Sequence, residues 1–129
     1  MASTIHIISS MATKQLLADL VAQFQQSHDQ EILVESLGGV DAAKRVQSGE
    51  TLDAVVLAAN VVDQMSEAGH IVAGSRVDLV ESGVYVAVRA GAPHVDISSE
   101  AALRQAVLDA PTIGYSTGPS GVYLSKLFE

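Results

Sequence analysis

A chain of 129 residues with no cysteine and a formal net charge of -8 at pH 7 is sized for one ordinary domain. It can build a core without disulfides, offers no thiol nucleophile, and gives no redox clue to its compartment. Its seven Lys and Arg residues are scattered, so it lacks the clustered basic face that neutralises a phosphate backbone, and nucleic acid is excluded as a partner. The 48% apolar content arrives in short blocks, well below the ~20 consecutive residues that span a bilayer. The opening MASTIHIISS has neither a basic stretch nor a long apolar one. No signal peptide is visible, which suits a mature or engineered form or a cytoplasmic protein.

Three times an apolar, strand-like run ends in a loop of small polar residues or glycine and passes into a helix-like pattern. Ile5 to Ile8 reads as a buried strand. Ser10 or Thr13 then opens a helix with Leu16, Leu17, Leu20, Val21 and Phe24 on one face, closed by the polar SHDQ. Ile32, Leu33 and Val34 form a second strand, followed by Gly38 and Gly39 and a short helix with Val40, Ala43 and Val46 inward. Gly49 stands after that helix, and Lys44 and Arg45 suit the negative end of its dipole. A third strand, Ala54 to Ala58, meets Asn60 as the expected N-cap of a helix carrying Val61, Val62 and Met65, which Gly69 ends.

Past Gly74 the rhythm changes. GVYVAVR reads as a fourth strand with valines 84, 86 and 88 alternating against Tyr85 and Ala87, and Gly91, Ala92 and Pro93 break it. Ser98 or Ser99 caps a helix carrying Leu103, Ala106 and Val107, and Pro111 blocks its extension. A strand-like TIGYS, the turn TGPSG and a helical start, VYLSKLFE, follow. This order of elements predicts an α/β fold with a mostly parallel sheet flanked by helices. Ligands are expected outside the carboxyl ends of the strands, where Ser10, Gly39 and Asn60 gather at one edge.

Helix starts at such an edge present unpaired N–H groups and a positive dipole end, which suit a small anion. No Lys or Arg lies inside the three loops, so neutral donors would have to converge on it. Other chemistry finds little footing. Gly38 and Gly39 do not make GxGxxG, and GPSGVYLSK lacks P-loop spacing. His6, His28, His70 and His94 have no metal-ligand spacing, and no Ser, His and acid set is justified by order. No cofactor, metal or catalytic residue is predicted, and the acidic surplus reads as a solvated face.

The pieces IISSMATKQLLADLVAQF, SLGGVDAAKRVQSGE, LDAVVLAANVVDQM, GSRVDLVESGVYVAVRAGAP and IGYSTGPSGVYLSKLFE, in that order and spacing, resemble the periplasmic molybdate-binding proteins. The resemblance extends to their relatives among type 2 ABC-transporter solute-binding proteins and covers almost the whole chain. It implies two α/β lobes joined by crossing strands, with ligand between them. Residues 1–83 would be the first lobe, 84–111 the crossover strand and connecting helix, and 112–129 the start of a second lobe of which most is absent.

The same resemblance implies the binding loops. Ser9 and Ser10 match the first serine-bearing loop, although Ser10 also reads as a plain N-cap, and the two roles are compatible. The second loop departs from the pattern. Gly38, Gly39 and Val40 stand where a serine hydroxyl is usual, so backbone donors remain, one hydroxyl is lost and the ligand's identity stays open. Ala58, Ala59 and Asn60 match the third loop. Ser116, Thr117, Ser120, Gly121 and Tyr123 match the first ligand-facing loop of the second lobe, with core packing as the plainer role for Tyr123. Asp53 matches a family aspartate and reads as structural.

The implied function is binding of a small anionic solute, molybdate-like or another, without chemistry, as the periplasmic partner of ABC-transporter membrane subunits. A homodimer through the unpaired sheet edge is a further expectation. Two other readings share the pattern. The effector domain of a LysR-type regulator would sense a small acid, but no winged-helix segment precedes it here. A flavodoxin-like phosphate or nucleotide enzyme would need a Gly-rich phosphate loop or acidic strand ends.

Overall fold

The structure, a computed structural model, describes residues 3–129. It divides into two compact units, one ending at Leu79 and the other running from Val80 to Glu129. In the first, β1 (Ile5–Ser10) leads through a 3-10 turn (Met11–Thr13) into α1 (Lys14–Gln25). Then come β2 (Ile32–Leu37), α2 (Gly39–Gln47), β3 (Ala54–Val56) and α3 (Ala59–Glu67). The strands form one parallel sheet in the order β2-β1-β3. Parallel neighbours cannot be joined by a tight turn, so each strand is followed by a helix that carries the chain back.

Register fixes where the loops fall. β1 pairs with β2 from Ile5↔Ile32 to Ser10↔Leu37, and with β3 from Ile7↔Ala54 to Ser9↔Val56. All three strands therefore finish at one edge, and Ser10, Gly39 and Asn60 follow them there as expected. At the start of β3, the Asp53 carboxylate accepts a hydrogen bond from the His6 backbone N–H at 2.8 Å. The Asp53 N–H donates back to the His6 carbonyl at 3.0 Å. This reciprocal pair pins β3 to β1 and gives Asp53 the structural role read from the sequence.

Side chains alternate across β1. Ile8 points to α2 and α3 and is fully buried with Ala42, Val46 and Met65, while Leu37, Leu52, Val55, Leu57 and Val61 pack around this cluster. Burying a side chain the size of Ile8 or Met65 contributes roughly 1.5–3 kcal/mol. A right-handed crossover puts α1 on the opposite face. There Leu17 is buried and Val21 half-buried, whereas Leu16, Leu20 and Phe24 are exposed. The apolar stripe of α1 is thus wider than a three-stranded sheet covers. Phe24 instead stacks on His28, ring centroids 4.0 Å apart. α2 and α3 end as predicted, at Gly49 (φ 83°) and Gly69 (φ 78°), where only glycine adopts the left-handed turn without strain.

The second unit holds α4 (Glu100–Asp109) and α5 (Pro119–Leu127). Of the two candidate caps for α4, Ser99 is the one used, its hydroxyl accepting from the Ala102 N–H at 3.1 Å. Pro119 occupies the first turn of α5, where its missing N–H costs nothing. The two strands expected in this unit, over GVYVAVR and TIGYS, do not form: among the described residues these segments carry no strand. The valine alternation is real, but a strand exists only through a ladder partner. Without one Val84, Val86 and Val88 remain exposed.

Candidate functional site

At the carboxyl edge of the sheet, three chain segments turn into helices without help from side chains. Ser10 is extended (φ -71°, ψ 159°) and its hydroxyl makes no capping bond. Gly38 is the N-cap of α2 and makes none. The N-cap of α3 is Ala58, which corrects the reading of Asn60. Helical geometry already begins at Ala59, so Asn60 lies one residue inside the helix, exposed, and past the position from which a side chain reaches back to cap. The first intrahelical bonds at these ends are Ala42 N–H to the Gly38 carbonyl and Val61 N–H to the Ala58 carbonyl, both at 2.9 Å. The N–H groups before them, Gly39 and Val40 in α2 and Ala59 and Asn60 in α3, are the free ends expected of helix starts.

Ser9 and Ser10 part company here. Ser10 is half-buried at the edge. Ser9 is 0% exposed, its Oγ lying 2.7 Å from the Ser36 Oγ and donating to the Ser10 carbonyl at 3.2 Å. It supports the loop from beneath. Ser36 went unnoticed in the sequence because the signal is not its spacing but its register, opposite Ser9 on the neighbouring strand. One charge also stands at this edge. The Asp41 carboxylate, in the first turn of α2, turns back toward Gly38, so that a Cβ on Gly38 would lie 3.7 Å from Asp41 Oδ2. It satisfies the helix dipole and opposes any anion bound to the same N–H groups.

In the second unit the loop before α5 brings together part of the predicted set. The Ser116 and Ser120 hydroxyls lie 2.9 Å apart. Gly121 is buried against the Ser116 backbone, where an added Cβ would stand 1.5 Å from the carbonyl oxygen. A glycine is therefore required by close approach of the chain to itself. Thr117 and Tyr123 are exposed and take no part in this contact.

Elsewhere the chemistry is structural. Arg45 on α2 reaches Glu35 on β2 at 2.6 Å and holds both oxygens of Glu50, with Nε at 2.6 Å from Oε2. Hydrogen bonding to Arg45 holds the Glu50 carboxyl below its ordinary value. Donating to Glu50 and then Glu35 pushes the Arg45 guanidinium further up. A cavity of about 60 Å³ beside this cluster, lined by His6, Ile8, Leu33 and Thr51 among others, has room for a few waters at most. A hollow of about 420 Å³ in the second unit is lined by Val86, Ala87, Val88, His94, Val95 and Ile97, so an imidazole stands among its apolar side chains. No group of three metal-ligating side chains occurs among the described residues.

The sequence pattern described as bacterial extracellular solute-binding protein matches residues 5–129. The chain belongs to that family. Membership agrees with the α/β architecture and with a solute-binding role, and says nothing of molybdate. Among the described residues, no helix is long and apolar enough to cross a membrane. A relative from a Pseudomonas species, named aconitate isomerase, is 39% identical over 83 residues, which are 64% of this chain and 32% of that protein. The match thus spans about a third of that relative's length. No solved structure matches the chain. The relative's name overturns the expectation that a chain of this pattern performs no chemistry, because a protein similar over part of this sequence is named for an isomerase.

Proposed function

We propose that the carboxyl ends of β1, β2 and β3 form one side of the ligand site of a solute-binding protein that takes a small anion. The Ser10 hydroxyl and the free N–H groups of Gly39, Val40, Ala59 and Asn60 would hold it. The observation that carries this reading is the convergence of uncapped helix starts at one sheet edge in a chain of a solute-binding family. Each neutral hydrogen bond is worth only about 0.5–1.5 kcal/mol net, so several must act together. The relative's name supports an aconitate-like tricarboxylate as the solute and isomerisation as an activity of the whole protein. Molybdate is the weaker assignment, because the second loop has Gly38, Gly39 and Val40 where a hydroxyl would serve that ion.

In this reading residues 84–111 connect two lobes. Ser116, Thr117, Ser120, Gly121 and Tyr123 would form the second lobe's own binding loop, and the protein works outside the cytoplasmic membrane with ABC-transporter subunits as partners. Self-association through an unpaired sheet edge is part of the same proposal. Titration calorimetry with aconitate, molybdate, sulfate and an uncharged sugar tests the site. Anion binding is expected, and binding of the sugar alone would refute it. Proton NMR of aconitate incubated with the protein tests the activity through appearance of the second geometric isomer.

A further inference from the structure

Two exposed side chains at this edge serve neither the core nor the backbone donors. Met11 is 53% exposed and Val40 is 57% exposed, and each directly follows a residue of the proposed anion site, Ser10 and Gly39. The pairing of Ser10 with Leu37 sets the two loops side by side, and the turn bearing Met11 packs against β2. A single exposed apolar residue is ordinary. Here two of them flank N–H donors in loops without a basic residue, the next one along being Lys14 at the start of α1. The edge is thus part donor and part apolar surface. A tetrahedral inorganic oxyanion has only oxygens to present to it, whereas an organic carboxylate has oxygens for the donors and carbon for the rest.

We propose that Met11 and Val40 are specificity-determining residues that receive the carbon skeleton of an organic carboxylate and so select it over inorganic oxyanions. This rests on the anion-site reading above. The test is calorimetric titration of the protein and of the near-isosteric variants Met11→Gln and Val40→Thr with aconitate and with molybdate. The parent is expected to prefer aconitate. Each variant should weaken aconitate binding about fivefold, the loss from failing to cover roughly 40 Å² of apolar surface, while molybdate binding stays within about twofold. Met11→Leu and Val40→Ile, which keep the apolar contact, should hold aconitate binding near that of the parent. Thermal melting of all four should match the parent, because both positions lie outside the core. Equal losses for the two anions, or unchanged aconitate binding in the polar variants, would overturn the specificity role and leave the anion site standing. A parent that binds neither anion would overturn the site itself, and this inference with it.

Discussion

The contrast between Ser9 and Ser10 gives the sharpest separation of structural from ligand-directed roles. The two hydroxyls are adjacent in sequence, yet one is sealed under the sheet edge with Ser36 and the other stands at the edge without a capping bond. Ser9→Ala removes one partner of a buried hydroxyl pair and should cost about 1 kcal/mol of stability. For a unit of this size that lowers Tm by roughly 4–8 °C. Ser10→Ala removes no such bond, so its Tm should stay near the parent's. Its affinity for the anion should fall by the worth of one hydrogen bond, roughly twofold to twelvefold in Kd. Calorimetric titration and thermal melting on the same preparations read both quantities. Unchanged affinity in Ser10→Ala would refute its role as a contact. A Ser9→Ala protein that melts like the parent but binds as weakly as Ser10→Ala should would refute the division of labour.

Three further outcomes follow from single contacts. Asp41→Asn removes a carboxylate in the first turn of α2 that turns back toward Gly38. It should tighten anion binding about fivefold at low ionic strength, the effect of roughly 1 kcal/mol between unit charges some 4 Å apart in water, and less in salt. Gly121→Ala drives a Cβ into the Ser116 carbonyl oxygen. The loop must then shift at a cost of roughly 1–3 kcal/mol, visible as lost hydrogen-exchange protection in α5. Arg45 lowers the Glu50 carboxyl below its ordinary value of 4.5, so the folded protein binds that proton less readily than the unfolded chain. The stabilisation is therefore complete above the ordinary value and is lost as pH falls through the lowered one. Parent and Glu50→Gln should differ in Tm at neutral pH and converge as the pH falls through the lowered value, the gap being small because the pair is on the surface.

Much of the first unit was legible because local signals and tertiary packing agree there. Apolar runs at Ile5, Ile32 and Ala54 became strands, and Gly49 and Gly69 ended helices because only glycine suits those backbone angles. The parallel order followed from the strand and helix alternation. What failed depended on partners that periodicity does not encode. Val84, Val86 and Val88 alternate like a strand but have no ladder, and Leu16, Leu20 and Phe24 line a face of α1 that this unit leaves open. In the candidate site the loops were found by position, while the burial of Ser9 by Ser36 and the turn of Asp41 toward Gly38 arise from register and side-chain direction. The absence of catalysis rested on missing motifs and on a resemblance, and the name of a relative 39% identical over 83 residues overturns it.

The central claim is that backbone N–H groups at the carboxyl ends of the three strands hold an anionic solute. Titration of the uniformly ¹⁵N-labelled protein with aconitate, followed by amide chemical shifts, tests it residue by residue. The account predicts saturable shifts concentrated at Ser10, Gly39, Val40, Ala59 and Asn60, with the amides of the Arg45, Glu35 and Glu50 cluster unmoved. Saturable shifts confined to that cluster, or to the hollow around Val86 and Ile97, with the three helix starts silent, would contradict it.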